Sequence, residues 1–342
     1  MTFEDRLTPA DNPISKRMGN PVLKVQDLGK VYQVGSAFKS ATLRALHEVS
    51  FELYRGECIA LVGESGSGKS TILRILARLE QPSHGTITFL DEDILKKEPT
   101  RASLEYRSKI QMIFQDPFGS LNPIHTVYHH LKRPLLRHGR VADHAHLEKQ
   151  VHSLLETVGL NPAADFARKY PYQMSGGQRQ RVAIARALAV EPTVILADEP
   201  ISMLDVSIRM GILNLMHELK TGTSAGLLYV THDIASARYI ADRTMVMYAG
   251  HLVEGGPSEV LLDDPAHPYT KLLLAAAPDP HGSIFRELPA RSGQPQLSGH
   301  LTACPFADRC PETMDVCRTE NPPPIPLRRK SDHRFVRCHL YT

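Results

Sequence analysis

The sequence lacks the long apolar runs that a membrane protein needs. None of its 342 residues lies in an apolar stretch near the roughly 18 residues of a membrane-spanning helix. One of the longest runs, residues 272–277, is far shorter. Residues 1–20 mix charges, prolines and polar side chains, and they lack the apolar core of a secretory signal peptide. We therefore expect a cytoplasmic protein that reaches a membrane through a partner.

The sequence also lacks an excess of either charge. Its 40 Lys and Arg against 37 Asp and Glu give a formal charge of +3. A strongly basic balance would favour nucleic acid as a partner, so we expect no nucleic-acid partner here. The length allows one large core with an appendage, or two domains.

Cysteine is scarce before the last forty residues. Cys58 stands alone in an apolar strand pattern and is predicted to be an inert core residue. The other four cluster near the end, and in a cytoplasmic chain such a cluster indicates a metal site rather than disulfides. Their spacing fits neither a C-x2-C zinc knuckle nor a ferredoxin run, so zinc and iron–sulfur both remain open. The four are Cys304, Cys310, Cys317 and Cys338.

The most informative stretch is residues 63–70, G-E-S-G-S-G-K-S. It follows an apolar strand pattern and precedes a helical one, which is the required context of a phosphate-binding loop. The glycines let backbone N–H groups converge on a phosphate, and the helix adds its positive N-terminal end. Lys69 is predicted to contact the terminal phosphates and Ser70 to bind Mg²⁺. The flanking strand and helix argue against a chance glycine-rich turn.

Small residues lie at a second helix start, residues 175–177. The following segment predicts a strong helix, so the site has the geometry of a second phosphate-binding helix N-terminus. Taken alone, the pattern fits a simple helix cap with flexible glycines equally well.

Acidic and polar residues follow two apolar strand patterns. Asp198 and Glu199 come directly after residues 194–197, where carboxylates suit magnesium binding and the positioning of water. His232 follows the next strand pattern, and a lone histidine there is more often structural than catalytic. Asp233 fits as the cap of the helix after it.

The order of elements predicts an α/β P-loop fold. We expect a flexible tail over residues 1–20 and a nucleotide-binding domain over 21–256, with a helical subdomain at about 104–189. A C-terminal extension over 257–342 carries the cysteines. Within that extension we expect a Pro/Gly/Ser-rich linker at 278–300 and a solvated basic run at 328–330.

Together the motifs resemble those of the ATP-binding subunits of ABC transporters, and their order and rough spacing agree. The resemblance extends over residues 22–342, and it implies the ABC-type nucleotide-binding domain. The matching residues are 63–70 (Walker A), Gln115 (Q-loop), 175–178 (signature), 198 and 199 (Walker B), 202–205 (D-loop) and His232 (switch histidine).

Residues 115–123, residues 267–270 and the cysteine-bearing tail further resemble the dipeptide/oligopeptide importer ATPases. That resemblance implies an ATPase that powers peptide uptake as a heterodimer with a second ATPase. It implies two membrane permeases, an extracytoplasmic substrate-binding protein, and a peripheral position on the cytoplasmic face of the membrane. It also implies a [4Fe–4S] cluster on the four cysteines, with structural Zn²⁺ or no metal at all as the alternatives.

The resemblance assigns roles around ATP and Mg²⁺. Glu199 polarises the attacking water, His232 contacts the γ-phosphate and Gln115 senses the metal, while residues 175–178 close over ATP bound to the partner subunit. The implied magnesium ligands are Ser70, Gln115 and Asp198. The implied nucleotide-binding residues are Tyr32 (stacked on adenine), Gly63, Ser65, Gly66, Gly68, Lys69, Ser70, Thr71, Ser175, Gly176, Gly177, Gln178 and Asp205.

Other functions remain open at this stage. The same ATPase would serve an importer of oligosaccharide or nickel, because other subunits select the solute. A non-transport ABC ATPase of DNA repair or translation would usually carry long coiled coils or a second cassette, and the sequence shows neither. A regulator without turnover is disfavoured because Glu199 and His232 are present. Met174 and Met203 depart mildly from the family pattern.

Overall fold

The computed structural model describes residues 19–36, 39–141, 143–276, 302–327 and 334–342. Contacts divide the chain into two compact units. The first comprises residues 1–99 and 231–342, and the second comprises residues 100–230. Most of the predicted N-terminal tail, the predicted linker and the basic run at 328–330 lie outside the described residues.

The first unit begins with an antiparallel sheet in the order β2-β1-β4-β5. The sequence predicts strands at 23–28, 50–53 and 85–89, and the structure confirms all three. Two of them, β1 and β2, are much longer than predicted. In β1, register irregularities between Val25 and Val31 break the alternation that marks a strand. The strands are β1 (Leu23–Ser36), β2 (Lys39–Leu53), β4 (His84–Phe89) and β5 (Glu92–Asp93).

A second group of strands in this unit runs in the order β11-β12-β10-β9-β3. β3 (Cys58–Val62) is parallel to β9 (Arg243–Tyr248), and every residue of β3 is buried, as expected for a parallel strand covered on both faces. The remaining strands pair antiparallel: β10 (His251–Pro257), β11 (Ile325–Leu327) and β12 (Arg334–Val336).

Residues 243–248 and 251–254, with a turn at Ala249 and Gly250 between them, are predicted from the sequence as a closing hairpin. In the structure, β9 joins β10 through these two turn residues. Their φ angles are 44° and 84°, so both central residues are left-handed. A two-residue turn of this kind matches the right-handed twist of the paired strands. The structure confirms the hairpin.

The helices alternate with these strands along the chain. Helix α1 buries Ile72, Leu73, Ile75 and Leu76, the apolar face that the sequence predicts after the phosphate loop. In chain order the helices are α1 (Lys69–Leu76), α2 (Ile94–Lys97), α3 (Leu104–Lys109), α4 (Pro117–Ser120), α5 (Val127–Arg137), α6 (His144–Thr157), α7 (Ala163–Arg168), α8 (Gly176–Leu188), α9 (Val206–Gly222), α10 (Ile234–Ile240), α11 (Ser258–Asp263), α12 (Pro268–Ala276) and α13 (Asp315–Thr319).

The second unit contains the parallel strands β6 (Ile110–Ile113), β7 (Val194–Asp198) and β8 (Gly226–Thr231), in the order β6-β7-β8. The structure confirms the last two, which the sequence predicts as buried runs. It adds β6 inside a stretch with a helical pattern. Four residues carry too little periodicity to identify a strand, and β6 exists because it pairs with the distant β7.

The proline-rich loop at residues 114–123 contains one short helix. Asp116 caps α4 by accepting a hydrogen bond from the Phe118 N–H at 2.7 Å, and Pro117 opens the helix. Across the described residues of both units, no helix is long and apolar enough to cross a membrane.

Candidate functional site

The phosphate loop depends on glycine at three positions. Gly66 and Gly68 have φ angles of 79° and 107°, which side chains rarely adopt. A Cβ on Gly68 would lie 2.5 Å from the Ala45 carbonyl oxygen, and one on Gly63 would lie 2.1 Å from that of Met247. The loop therefore has its shape because backbone passes where a side chain would clash.

Lys69 opens helix α1 and is buried, with 4% of its surface exposed. Its Nζ donates hydrogen bonds to the carbonyl oxygens of Gly63 at 2.7 Å and Glu64 at 2.8 Å. The ammonium group thus lies over the loop, close to the start of the helix. A cation and a helix N-terminus at one point form a site for anionic phosphate.

Tyr32 lies beside the same helix. Its hydroxyl donates a hydrogen bond to the Glu80 carboxylate and also bonds to Thr71 of α1. Burial raises the Tyr32 pKa, and Glu80 raises it further. Glu80 in turn pairs with Arg74 Nε at 2.7 Å. The structure therefore brings the predicted adenine-binding tyrosine to the helix that follows the phosphate loop.

His232 is exposed on a defined turn after β8. The next residue, Asp233, accepts a hydrogen bond from the Ala235 N–H at 3.0 Å, which confirms the predicted cap of α10. The Asp233 N–H donates to Thr231 Oγ1 at 3.0 Å. These bonds fix the backbone on both sides of the histidine.

Glu199 has a strained backbone. Asp198, nearly buried, ends β7, and Glu199 follows with φ of 43° while its N–H donates to the Val230 carbonyl at 2.9 Å. A left-handed non-glycine residue costs on the order of 1–3 kcal/mol, and such strain is concentrated at functional sites.

Gln115 contacts the Glu199 side chain. Its Nε2 donates to Glu199 Oε2 at 3.2 Å and to Ser202 Oγ at 3.3 Å. The Ser202 hydroxyl donates to the Glu199 carbonyl at 3.0 Å. The structure thus brings two predicted catalytic residues together. It also adds Ser202 as a bridge, which the sequence placed in the D-loop without a contact of its own.

The serine before α8 is a true helix cap. Ser175 Oγ accepts from the Gln178 N–H at 3.3 Å, and Gln178 Oε1 accepts from the Ser175 N–H at 3.1 Å. The interpretation of this serine as a helix cap is therefore correct. The cap is compatible with phosphate binding because Ser175 is exposed. A Cβ on Gly177 would lie 2.4 Å from Ile208 Cγ2, so a larger residue there would force the Ile208 side chain to move.

Asp205 is the residue directly before helix α9, and its exposed side chain makes no capping hydrogen bond to that helix. Met203 and Val206 flank it with 55% and 77% of their surfaces exposed.

The predicted site residues thus form two groups, one in each unit. The oxygen donors predicted for magnesium are a hydroxyl (Ser70), an amide (Gln115) and a carboxylate (Asp198), which is the hard donor set that Mg²⁺ prefers. The first unit holds Tyr32, Gly63, Ser65, Gly66, Gly68, Lys69, Ser70, Thr71 and His232; the second holds Gln115, Ser175, Gly176, Gly177, Gln178, Asp198, Glu199 and Asp205.

No disulfide joins the five cysteines, all of which lie among the described residues. Cys58 is fully buried in β3, as predicted. Within the described part of residues 257–342, called the C-terminal region from here on, the Cys304 N–H donates to the Cys317 carbonyl at 2.9 Å. Burial, with a smaller contribution from neighbouring thiols that include Cys310, raises the pKa of Cys304 to about 12 and that of Cys338 to about 11.

The four C-terminal thiols are therefore close enough to influence one another. Within the described ranges, no group of three or more His, Cys, Asp or Glu side chains is placed so that it could hold a metal ion. The donor chemistry itself, four thiols, suits either an iron–sulfur cluster or zinc.

Sequence reasoning missed a set of contacts on the phosphate loop. The Glu64 N–H donates to Tyr269 Oη at 2.9 Å, and its carboxylate pairs with Arg309. The sequence singled out residues 267–270 as a subfamily marker, and no local pattern connected them to the loop.

Two family profiles match the chain. The profile described as "ABC transporter" matches residues 46–202. The profile described as "Oligopeptide/dipeptide transporter, C-terminal region" matches residues 253–317. The first covers the phosphate loop through Ser202, and the second covers most of the cysteine-bearing segment.

Curated relatives align along nearly the whole chain. The oligopeptide transport ATP-binding protein AppF of Bacillus subtilis is 41% identical over 329 residues, which is 94% of this chain and 98% of that protein. The dipeptide transport ATP-binding protein DppF of Haemophilus influenzae is 40% identical over 321 residues, with coverages of 93% and 96%.

Solved structures share the fold. The dimeric ATP-binding cassette MJ0796, in a post-hydrolysis state bound to ADP and Pi, superposes with a TM-score of 0.60 at 32% identity. The superposition covers 69% of this chain and 98% of the MJ0796 chain. The cbiO1 protein of Clostridium perfringens gives a TM-score of 0.61 at 26% identity, with coverages of 72% and 92%.

Proposed function

This chain belongs to the ABC transporter family of ATP-binding proteins, and we propose that it hydrolyses ATP to drive uptake of di- or oligopeptides. The observation that carries the proposal is the phosphate loop with its buried Lys69. That loop lies in a chain whose 41% identity to an oligopeptide transport protein extends over 94% of its length. The C-terminal family match at residues 253–317 favours peptides over oligosaccharide or nickel.

In the first unit, the chain binds the nucleotide. Lys69 exchanges its two loop carbonyls for phosphate oxygens, and the N–H groups at the start of α1 bind the phosphate next to it. The Tyr32 ring, held by Glu80, stacks on adenine. His232 contacts the γ-phosphate from its fixed turn.

In the second unit, the chain activates water. Glu199 polarises the attacking water, and the Gln115 amide holds the carboxylate for that task. Ser70, Gln115 and Asp198 would hold Mg²⁺, which when bound neutralises charge on the phosphates.

We propose that a second ATPase subunit completes each nucleotide site. Residues 175–178 present the positive N-terminus of α8, and Ser175 is exposed at that point. Exposed Met203 and Val206 provide apolar surface for the same contact. We assign residues 21–256 to the cassette, with its helical subdomain at about 104–189. Residues 257–342 form the C-terminal extension, and the partner is a different ATPase, giving a heterodimer.

The membrane partners follow from the same assignment. Two permease subunits bind the ATPase pair at the cytoplasmic face of the membrane, and an extracytoplasmic protein delivers peptide to them. ATP holds the ATPase dimer closed and hydrolysis releases it, so the chemistry drives permease movement.

The four C-terminal cysteines would hold a [4Fe–4S] cluster, which when bound cross-links the segment by Fe–thiolate bonds. Anaerobically purified protein should contain iron and sulfide in equal amounts and absorb visible light. C338S should lose iron, whereas C58A, in the core strand, should keep it. A colourless protein with one zinc per chain would contradict the cluster and establish zinc.

Transport by the assembled complex tests the function. Proteoliposomes with this subunit, the partner ATPase, the permeases and the binding protein should accumulate labelled dipeptide when Mg–ATP is supplied to the ATPase pair. K69A should bring uptake to background, while K149A, an exposed lysine of α6, should not change it. ATP-dependent uptake of nickel or oligosaccharide without peptide uptake would exclude the peptide assignment.

A further inference from the structure

The C-terminal region contacts the phosphate loop through an ion pair. Arg309 Nη1 and Nη2 donate to the two carboxylate oxygens of Glu64 at 2.8 Å and 2.9 Å. The side chains are 14% and 33% exposed, so the pair is partly shielded from water. Two parallel charge-assisted bonds of this kind fix orientation as well as distance.

Glu64 links that ion pair to the predicted phosphate-binding lysine. Its N–H donates to Tyr269 Oη at 2.9 Å, and its carbonyl accepts from Lys69 Nζ at 2.8 Å. The C-terminal region therefore holds the side chain and the N–H of one loop residue, while Lys69 holds the carbonyl of that same residue.

Arg309 is itself firmly placed. It follows Phe306, which is 1% exposed and packs against the rings of Tyr248 and Tyr269 at centroid distances of 5.2 Å and 5.4 Å. The guanidinium carbon lies 5.6 Å from the Tyr248 ring and 5.9 Å from the Phe306 ring, within cation–π range. The hydrogen bond to Glu64 raises the Arg309 pKa, so the guanidinium stays charged.

We propose that Arg309 is a positioning residue for ATP: through Glu64 it holds the phosphate loop in its binding-competent shape. The inference rests on the proposed nucleotide site and assigns the C-terminal region a part in it. Without Arg309, the Glu64 carboxylate loses its partner beside a site that must accept a triphosphate. The loop is then ordered only when nucleotide binds, which weakens binding.

Nucleotide affinity of the full-length chain provides the first measurement. We expect R309A to raise the Kd for a fluorescent ATP analogue with Mg²⁺ by about 5- to 30-fold, within the usual range of coupling between sites. R318A is the matched control, because Arg318 lies in the same segment and pairs with Asp308 at an exposed position. Should R309A fail to fold, R309Q takes its place, because Gln keeps most of the side-chain volume. We expect the same rise in Kd of about 5- to 30-fold for R309Q.

A double-substitution cycle tests the route through Glu64. In an E64A background, R309A should have no further effect on Kd, because the side chain that Arg309 contacts is already absent. In the assembled transporter, R309A should raise the KM for ATP while kcat stays within about twofold, since coupling acts on binding. A general loss of folding would lower the active fraction and leave KM unchanged.

Two results would overturn the inference: an R309A Kd equal to that of the unsubstituted protein, or an equal effect of R309A in both backgrounds. Failure of the proposed function looks different. If the unsubstituted protein and K69A bind the analogue equally weakly, the nucleotide site itself is wrong. If K69A loses binding and R309A does not, only the role of Arg309 is wrong.

Discussion

The nucleotide motifs and the C-terminal region are held by different kinds of contact. Lys69 bonds to Gly63 and Glu64 in its own loop, and Ser175 bonds to Gln178 one helical turn away. The C-terminal region depends on distant partners: Tyr341 donates to the Ala266 carbonyl, and β12 pairs with β10. A local contact leaves a pattern within one stretch of sequence, whereas a distant one, such as Gln115 with Glu199, leaves no pattern that links its two stretches.

The two regions also differ in what their residues contribute. The motifs carry strain and exposed polar groups, as at Glu199 with its left-handed backbone. The C-terminal region carries buried aromatic packing, as at Phe306. Substitution should therefore remove chemistry from the first with little loss of stability, and remove stability from the second.

The largest effect should come from E199Q. The change preserves shape but removes the negative charge that activates water, so ATP turnover should fall about 10²- to 10⁴-fold. ATP binding should remain, which traps a closed dimer. Turnover in the assembled transporter and the mass of the ATP-bound complex measure both effects.

E191Q is the control for that experiment. Glu191 lies in the same unit and is also left-handed, with φ of 51°, but its side chain is 75% exposed and pairs with Arg140. The E191Q substitution should therefore leave ATP turnover unchanged. Undiminished turnover in E199Q would remove Glu199 from catalysis and with it the contrast between the two regions.

The next largest effect should come from F306A. Removing a fully buried phenylalanine typically costs about 3–5 kcal/mol. Amide exchange should accelerate across residues 302–317 far more than in β7 (Val194–Asp198), and thermal unfolding should begin at lower temperature. L340A, at a 39%-exposed leucine of the same region, should cost less than about 0.5 kcal/mol. Equal losses in the two variants would show that the aromatic cluster contributes little.

The same contrast explains how far the sequence predicts the fold. Strand β3, the phosphate loop and α1 follow each other directly, so periodicity and glycine placement identify all three. Strand β6 was missed because pairing with β7, and not its four residues, makes it a strand. β1 was predicted too short because bulges hide its alternation.

The candidate site was predicted in the same uneven way. Residue types and motif order located Lys69, Glu199 and Gln115, because each lies in a stretch with its own pattern. The contact of Arg309 with Glu64 spans 245 residues, and neither has a neighbouring pattern that indicates the other. Chemistry at the loop was therefore predictable, and the support of the loop was not.

The smallest expected effect is a loss of folding stability at acidic pH, through His267. His267 is buried, and its Nδ1 accepts the Tyr269 N–H at 3.0 Å. Burial, with a smaller contribution from the charge of Lys271, lowers its pKa from 6.5 to about 3, and a hydrogen bond with the Arg337 backbone opposes part of that shift. Because the folded pKa lies below the unfolded one, the unfolded state alone gains a proton as pH falls below 6.5. Stability is therefore complete above pH 6.5 and declines towards pH 3.

Between pH 7.5 and 5.5 this single group should cost about 1.4 kcal/mol of unfolding free energy. H267N should reduce the pH-dependent loss by that amount, because the Asn carboxamide still accepts the Tyr269 N–H and does not titrate. His251, whose pKa burial also lowers to about 3, remains in both proteins and cancels. H217N, at an exposed histidine of α9, controls for losing an imidazole. Urea titrations at pH 7.5 and 5.5 measure the unfolding free energy of each protein. If H267N and the unsubstituted protein lose the same amount between these pH values, then acid does not weaken the C-terminal region through His267.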